Sequence, residues 1–286
     1  MPATIASLLE TASDELRDSG DTPRLEAELL LAHALGCTRT RLHAHPEETP
    51  DDGSQEAFAR LVAARRKGEP IAYLTGEREF WSLKLKITPA TLIPRPETEL
   101  LVEQALRRIP ADAEWRLLDL GTGSGALALA LASERPCCRV TATDVSAAAL
   151  RVARENASSL GLQNLEFLQG HWYVPLGSRR FHLVVSNPPY VKDGDTHLQQ
   201  GDLRFEPRAA LASGQDGLEA IRSIVQRAPR HLERGGAMYL EHGLDQADAV
   251  RALLRVQGFS GIETFHDLQG HERASGGIWE RSQAPG

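Results

Sequence analysis

The sequence predicts an α/β protein, a mostly parallel sheet with helices on both faces, preceded by a small all-helical unit. Three observations predict it. From residue 98 onward, apolar runs of strand length take turns with amphipathic stretches of helical period, the pattern of right-handed crossovers in a parallel sheet. Over residues 4–68 the apolar period is helical throughout. Between these regions Phe80–Ile87 alternates with period two and is followed by Pro89, Pro94 and Pro96, which reads as a hairpin-like connector. The divisions fall at 1–75 for the helical unit, 76–95 for the connector and 96–286 for the sheet.

The first helix carries Ile5, Leu8, Leu9, Ala12 and Leu16 at three- and four-residue steps. Thr22 followed by Pro23 predicts an N-cap and first turn, Leu25, Leu29 and Leu30 continue the stripe, and Gly36 supplies the stop. Ser54 opens a third helix with Ala57, Phe58, Leu61 and Val62 on one face; Arg65, Arg66 and Lys67 sit near the negative end of its dipole before Gly68. After the connector, helices are predicted at 98–108, 124–134, 146–160, 218–232 and 245–256. Strands are predicted at 116–119, 139–144, 165–168, 181–186 and 237–241, with two more at the C-terminus.

Composition narrows the function classes. The chain has 286 residues, 32 basic and 39 acidic, a net charge of −7, which argues against gripping a nucleic-acid backbone by bulk positive potential. Residues 1–85 hold 10 basic against 15 acidic side chains, so most of that negative charge belongs to the helical unit. Cys37, Cys137 and Cys138 are an odd count with two neighbours in sequence, which suits free thiols in a reducing cytoplasm. The N-terminal segment lacks a basic n-region, and no window approaches the ~18 uninterrupted apolar residues of a membrane span. A cytoplasmic monomer is expected.

Leu117–Gly125 reads Leu-Leu-Asp-Leu-Gly-Thr-Gly-Ser-Gly where the first strand of the sheet meets its helix. Gly121, Gly123 and Gly125 allow a sharp turn and a close approach of ligand to backbone, with Thr122 and Ser124 between them and free N–H groups at the helix start. Counting Ala126, the stretch also satisfies the dinucleotide pattern, so the motif alone leaves nicotinamide and other adenosine ligands open. Asp144 ends the next strand, nineteen residues past Gly125, where a carboxylate can accept from both ribose hydroxyls. The plain structural alternative is a tight turn with a capping acid. Asp119, entering the turn, favours an amine-bearing ligand such as S-adenosylmethionine over a pyrophosphate.

Phe181–Ser186 is a strand-length apolar run ending in Asn187-Pro188-Pro189-Tyr190. In a doubly wound sheet it faces the same crevice as the glycine turn. Two prolines stiffen the segment and leave the Pro188 carbonyl outside any ladder; Asn187 adds a side-chain carbonyl. Two acceptors so held can clasp both hydrogens of a planar NH₂, with Tyr190 against the flat group that bears it. The alternative is an ordinary strand-ending loop.

With both motifs in hand, the chain resembles the class I S-adenosylmethionine-dependent methyltransferases that act on amide or exocyclic amino nitrogen. More closely it is similar to the protein-(glutamine-N5) methyltransferase family of peptide chain release factors, through Thr75–Trp81, Leu92–Glu99, His197–Pro207 and Glu241-His242-Gly243 as well. The resemblance implies a helical N-terminal domain that docks the substrate protein, a hairpin connector, and a Rossmann-like catalytic domain. It implies that Gly121, Thr122, Gly123, Ser124 and Gly125 wrap the methionine end of S-adenosyl-L-methionine, Asp144 holds the ribose, and Trp172 packs near the adenine. Asn187 touches cofactor and substrate; Asn187, Pro188, Pro189 and Tyr190 hold the substrate amide, with Asn187, Pro188 and Tyr190 carrying the chemistry. The product is S-adenosyl-L-homocysteine, and the partners are class I release factors, with no direct nucleic acid and no membrane. One departure is His171, where the family usually has an Asp that accepts from the adenine amino group.

Ten histidines invite a metal reading, but His43 and His45 are one residue apart and Glu241-His242 lacks a second His four residues before, so no metal is expected. Arg95, between two prolines, fits a structural or a substrate-contacting role equally. An adenine-N6 nucleic-acid methyltransferase would use the same tetrapeptide but needs a basic, aromatic recognition region. A non-catalytic cofactor-binding protein would not need the intact tetrapeptide.

Overall fold

A computed structural model describes residues 3–18 and 22–280. The chain divides into two compact units: the described residues up to Glu77 together with Gln199–Phe205, and Arg78–Leu198 together with the residues from Glu206 onward. The sequence reading kept 199–205 with the sheet; in the structure they group with the helices.

The helical unit contains α1 (Ile5–Glu15), α2 (Pro23–Leu35), α3 (Arg39–Ala44), α4 (Asp52–Arg66) and α5 (Ile71–Thr75). The two helices that the sequence did not reveal, α3 and α5, have 6 and 5 residues, too few to display a period. Thr22 makes no side-chain cap, so the start of α2 rests on the fixed φ of Pro23. Helix α4 begins two residues before Ser54 because Asp51 is its cap, with Oδ1 accepting from the Ser54 N–H at 2.9 Å. Ile5, Leu9, Leu16, Leu30, Leu31, Phe58 and Val62 form one buried cluster.

The expected charge cluster at the end of α4 separates by burial. Arg66 and Lys67 are exposed, whereas Arg65 is buried and grips both carboxylate oxygens of Glu26 at 2.8 Å. A third guanidinium hydrogen bond reaches Asp202 at 2.9 Å, which ties the 199–205 segment to this unit.

The second unit carries the hairpin of β1 (Glu77–Phe80) and β2 (Leu83–Lys86), turned through Trp81 and Ser82 at φ 51° and 58°. Positive φ at both central residues matches the twist of the flanking strands, but it is costly without glycine. Trp81 is held there by its backbone N–H to Glu99 and its ring N–H to Glu134, each at 2.8 Å.

The remaining elements are α6 (Glu99–Arg108), β3 (Arg116–Leu120), α7 (Ala126–Glu134), β4 (Arg139–Asp144), α8 (Ala147–Ser159), β5 (Leu165–Gln169), β6 (Phe181–Ser186), α9 (Glu219–Arg227), β7 (Leu232–Glu241), α10 (Ala247–Gln257), β8 (Ser260–His266) and β9 (Glu272–Trp279). They build a seven-stranded sheet in the order β5-β4-β3-β6-β7-β9-β8. The first five are parallel neighbours and β9 is antiparallel to both β7 and β8. Every residue of α7 from Ala126 to Ala132 is buried, as a helix apolar all round requires.

One boundary differs from the sequence reading. Helix α9 stops at Arg227 rather than reaching 232, since Pro229 cannot continue it, and β7 starts at Leu232 rather than Ala237. The register of β6 on β7 jumps from Phe181↔Leu232 to Leu183↔Ala237, so Glu233–Gly236 bulge out of the ladder that the expected strand omitted.

The order of strands places the switch point between β3 and β6. After β3 the chain builds β4 and β5 on one side, then returns to place β6 on the other. The turns leaving β3 and β6 are therefore neighbours at the carboxyl edge, where open α/β sheets bind ligands. Ser186 at the end of β6 reinforces this, donating its hydroxyl to the Leu120 carbonyl at 2.6 Å.

Candidate active site

The glycine turn is held from below by β4. Both the Gly121 and Thr122 N–H groups donate to the Thr143 carbonyl, at 2.9 and 3.0 Å, and the Gly123 N–H donates to Asp144 Oδ2 at 2.9 Å. Asp144 Oδ1 accepts from the Ser146 N–H at 2.8 Å. Asp144 thus braces the glycine turn without capping a helix, since Ser146 caps α8 and α7 has no side-chain cap, and each carboxylate oxygen keeps lone-pair capacity toward a ligand. Gly125 has φ +90°, and a Cβ there would stand 3.0 Å from Leu129 Cδ1 and 3.2 Å from Ala153 Cβ. Buried Asn156 locks the turn to the hairpin: its amide N–H donates to the Ser124 carbonyl at 2.9 Å, while its Oδ1 accepts from the Lys86 N–H at 2.7 Å.

A cavity of about 250 Å³ opens above this turn. Of the residues singled out in the sequence, Gly121, Gly123, Asp144, Trp172, Asn187 and Pro189 line it together; Thr122, Ser124, Gly125, Pro188 and Tyr190 do not. His171 lines it beside Trp172, their rings 5.2 Å apart and tilted by 58°. Trp172 adopts φ 49°, and a Cβ on Gly121 would meet its ring at 3.1 Å, so the small residue in the turn leaves the indole its place. Among the described residues no Lys or Arg lines the cavity, and the ionisable groups that do are Asp144 and His171. That chemistry suits a ligand without phosphate.

Asp119 does not line the cavity. It is fully buried beneath the turn, where Oδ2 accepts from the Thr122 hydroxyl at 2.6 Å and Oδ1 has no hydrogen bond of normal geometry. Burial pushes its pKa up to about 7, against the lowering effect of the Thr122 hydroxyl and the Ala128 N–H and with some help from the charge of Asp144. Asp119, read from the sequence as an acid that favours an amine-bearing ligand, therefore lies under the loop rather than in the cavity wall.

The tetrapeptide is held by side chains from far along the chain. Asn187 Nδ2 donates to the Thr98 hydroxyl at 3.0 Å, and Thr98 Oγ1 donates to Glu241 Oε2 at 2.7 Å. Tyr190 donates its hydroxyl to Glu241 Oε1 at 3.1 Å rather than offering it to the cavity. Gln246 donates to the Tyr190 carbonyl at 3.0 Å and accepts from the Gly243 N–H at 2.8 Å. Asn187 Oδ1 and the Pro188 carbonyl have no protein hydrogen-bond donor among the described residues. Glu241 is fully buried and pushed up to about 7 by that burial, against the lowering effects of Thr98, Tyr190 and Arg273. Burial and the Glu241 charge together raise the Tyr190 hydroxyl well above its ordinary range.

Arg95 finds a structural partner. Its guanidinium pairs with Glu206, whose side chain is wholly buried and also accepts from the Ile93 N–H at 3.0 Å. Leu92 and Pro207, on either side of that pair in sequence, line the cavity.

Residues 7–76 match the family model described as the PrmC N-terminal domain, and residues 96–206 match the one described as the methyltransferase small domain. The release factor glutamine methyltransferase of Burkholderia pseudomallei is 52% identical over 282 residues, covering 96% of this chain and 96% of that one. The enzyme of the same name from Xylella fastidiosa is 50% identical over 277 residues, 97% of this chain and 98% of its own. The chain belongs to the release factor glutamine methyltransferase family. A solved structure of the Thermus thermophilus 16S rRNA N2 G1207 methyltransferase RsmC, in complex with AdoMet and guanosine, matches with a TM-score of 0.54. It is 20% identical and covers 71% of this chain and 50% of that one, which shows a shared fold.

For this family member the sequence motifs named both walls of the cavity but not what supports them. Leu92, Thr98, Pro207 and Glu241 all lie in the further segments that carried the resemblance, and no local pattern assigned them a task. Asn156 carried no signal at all. No group of three or more His, Cys, Asp or Glu among the described residues could hold a metal, and no described helix is long and apolar enough to cross a membrane. The three cysteines are free, with Cys138 buried and Cys137 exposed.

Proposed function

We propose that the chain transfers a methyl group from S-adenosyl-L-methionine to the side-chain amide nitrogen of the glutamine in the Gly-Gly-Gln motif of class I peptide chain release factors, leaving S-adenosyl-L-homocysteine. The observation that carries the reading is the convergence in one cavity of Gly121, Gly123 and Asp144 with Asn187, whose Oδ1 has no protein donor. Gly121 to Gly125, Asp144 and Trp172 would hold the cofactor. The fit is chemical: a carboxylate and an indole suit a ribose and an adenine, and the lack of Lys or Arg in the lining disfavours a pyrophosphate. Bound there, S-adenosylmethionine would supply a methyl on sulfonium, a leaving group that needs no acid or metal.

The harder half of the chemistry falls to the chain itself, because the lone pair of an amide nitrogen is shared with its carbonyl. Asn187 Oδ1 and the Pro188 carbonyl would each accept one hydrogen of the substrate NH₂, fixing the nitrogen in the crevice. Those bonds strengthen as the nitrogen becomes positive, which stabilises the transition state more than the bound substrate. Positioning contributes on the order of 7–11 kcal/mol and oriented acceptors about 3 kcal/mol more. The N-methylated amide cation is a strong acid and releases its proton to water or to either acceptor, so the site needs no general base. Pro189 would complete the wall around the amide, Tyr190 would hold the tetrapeptide in place from behind through Glu241, and the helical unit would dock the release factor. The enzyme works as a cytoplasmic monomer without touching nucleic acid.

The test is mass spectrometry of a class I release factor incubated with the chain and S-adenosylmethionine. One methyl gained on the glutamine of the Gly-Gly-Gln motif supports the reading. Label that enters only DNA or RNA, or no label at all, refutes it.

A further inference from the structure

An asparagine that must accept from an NH₂ has a problem of its own: its amide can flip by 180°, and the flipped form presents a second NH₂ to the first. The two ends are nearly the same size, so shape alone cannot choose between them. Something must set the direction.

We infer that Thr98 and Glu241 are positioning residues that set the orientation of the Asn187 amide, so that its oxygen and not its nitrogen meets the substrate amide. The inference rests on the reaction proposed above. A hydroxyl has one proton to give. Thr98 Oγ1 lies 2.7 Å from Glu241 Oε2, and an ionised carboxylate only accepts, so the Thr98 proton is committed there. The remaining lone pairs of Thr98 can only accept, and what stands 3.0 Å away is Asn187 Nδ2. Each bond fixes the direction of the next. The carboxylate at the head of this chain therefore decides which end of Asn187 is turned toward the cavity.

The other oxygen of Glu241 anchors the far end of the tetrapeptide. Tyr190 donates to Oε1 at 3.1 Å, so a single buried carboxylate grips both Asn187, through Thr98, and Tyr190 directly. A fully buried carboxylate is costly, and neither bond here belongs to a helix cap or a strand ladder. Polar groups linked in this way also polarise one another, which makes Asn187 Oδ1 a stronger acceptor while Glu241 is charged.

Protonation of Glu241 reverses the logic. A protonated Oε2 donates to Thr98, which frees the Thr98 proton for Asn187 and permits the flipped amide. The groups around Glu241 are Thr98 and Glu97 ahead of α6, Tyr190 after β6, and Arg273 on β9, with Arg95 beside Tyr190. The ring of neighbouring His242 is turned away, bonded to Ser275 Oγ at 2.8 Å. With burial holding the acid near 7, turnover should lose strength as pH falls through neutrality.

The experiment compares Thr98→Val, Thr98→Ser and Glu241→Gln with the wild type in methyl transfer to a release factor, across pH 6 to 8.5. Thr98→Val is expected to lose about 10²-fold in kcat while S-adenosylmethionine affinity stays within a few fold; Thr98→Ser, which keeps the hydroxyl, is expected to restore most of the rate. Glu241→Gln keeps the shape but loses the charge and replaces one of the two accepting oxygens with an NH₂ donor, so its kcat should fall and its acid limb disappear. Wild-type kcat in Thr98→Val overturns the inference. If Thr98→Val does not fold, Glu241→Gln decides, and a wild-type pH profile in that variant overturns it. A wild-type chain that methylates no release factor glutamine fails at the reaction itself, an outcome distinct from a working enzyme indifferent to Thr98 and Glu241, and it removes the inference with it.

Discussion

Two loops meet at the carboxyl edge of the sheet, and each is underlain by a buried carboxylate bonded to a threonine hydroxyl. Under the glycine turn it is Asp119 with Thr122 at 2.6 Å; under the tetrapeptide it is Glu241 with Thr98 at 2.7 Å. Both acids are fully buried and both are pushed to about 7. They differ in reach. Thr122 is three residues from Asp119, and that pair closes on itself with one carboxylate oxygen left without a normal hydrogen bond. Thr98 is 143 residues from Glu241, and that pair extends onward to Asn187 and Tyr190. The first arrangement shapes backbone and ends there. The second reaches a side chain that lines the cavity.

The largest effect should come at the end of the longer arrangement. Asn187→Ala removes one of the two acceptors proposed for the substrate NH₂, so turnover is expected to fall on the order of 10²- to 10³-fold, comparable to losing one oriented donor from an oxyanion hole. S-adenosylmethionine binding, measured by calorimetry, should change by no more than a few fold, since the glycine turn and Asp144 are untouched. Near-normal turnover would break the comparison at its functional end.

The matching change in the shorter arrangement should act on stability instead. Thr122→Val strips Asp119 of its one normal hydrogen bond and is expected to cost about 1–3 kcal/mol in chemical unfolding. Turnover at saturating S-adenosylmethionine should stay within a few fold of wild type. A loss of turnover as deep as that expected for Thr98→Val would mean that both carboxylates orient catalytic groups, and the distinction between them would collapse.

Asp119 also makes a pH prediction whose sign follows from its raised pKa. Between its ordinary value near 3.8 and about 7 the folded state keeps a proton that the unfolded chain has released, so this residue makes stability fall as pH rises through that window. Asp119→Asn removes the contribution. Its stability relative to wild type should therefore climb from pH 5 to pH 8 and level off above, while Glu241, shifted in the same direction, keeps part of the slope in both proteins. Parallel unfolding curves at pH 5 and pH 8 would show Asp119 ionised throughout.

The same contrast in reach explains what the sequence could reveal. The alternation of helices and strands from residue 98 to the C-terminus, the glycine turn and Asn187–Tyr190 are local patterns, and each could be read from a dozen neighbouring residues. Helices α3 and α5 were too short to show a period, and the bulge at Glu233–Gly236 concealed the first half of β7. Arg65 looked like one of three charges at a helix end. Its burial depends on Glu26, 39 residues earlier, and on Asp202, 137 residues later. Thr98 and Glu241 were visible only as members of segments that carried a resemblance, because nothing near either one in sequence says what it bonds. Local chemistry is legible from sequence; the supports that come from distant strands are not.

The smallest expected effect lies at a cavity residue backed by neither carboxylate. His171 is exposed on the loop after β5 and leans on the half-buried Trp172. A neutral imidazole offers one acceptor to an adenine amino group, whereas the Asp that the family resemblance places here offers two oxygens and a charge. His171→Asp should therefore bind S-adenosylmethionine between equally and about tenfold more tightly, tenfold being the 1.4 kcal/mol that one added charge-assisted hydrogen bond can supply. Calorimetric titration of both proteins at pH 8 measures it. Weaker binding by the variant would mean that the imidazole ring, packed on Trp172, holds the adenine by its face and not by its nitrogen, and that this loop has a support of its own which neither threonine pair provides.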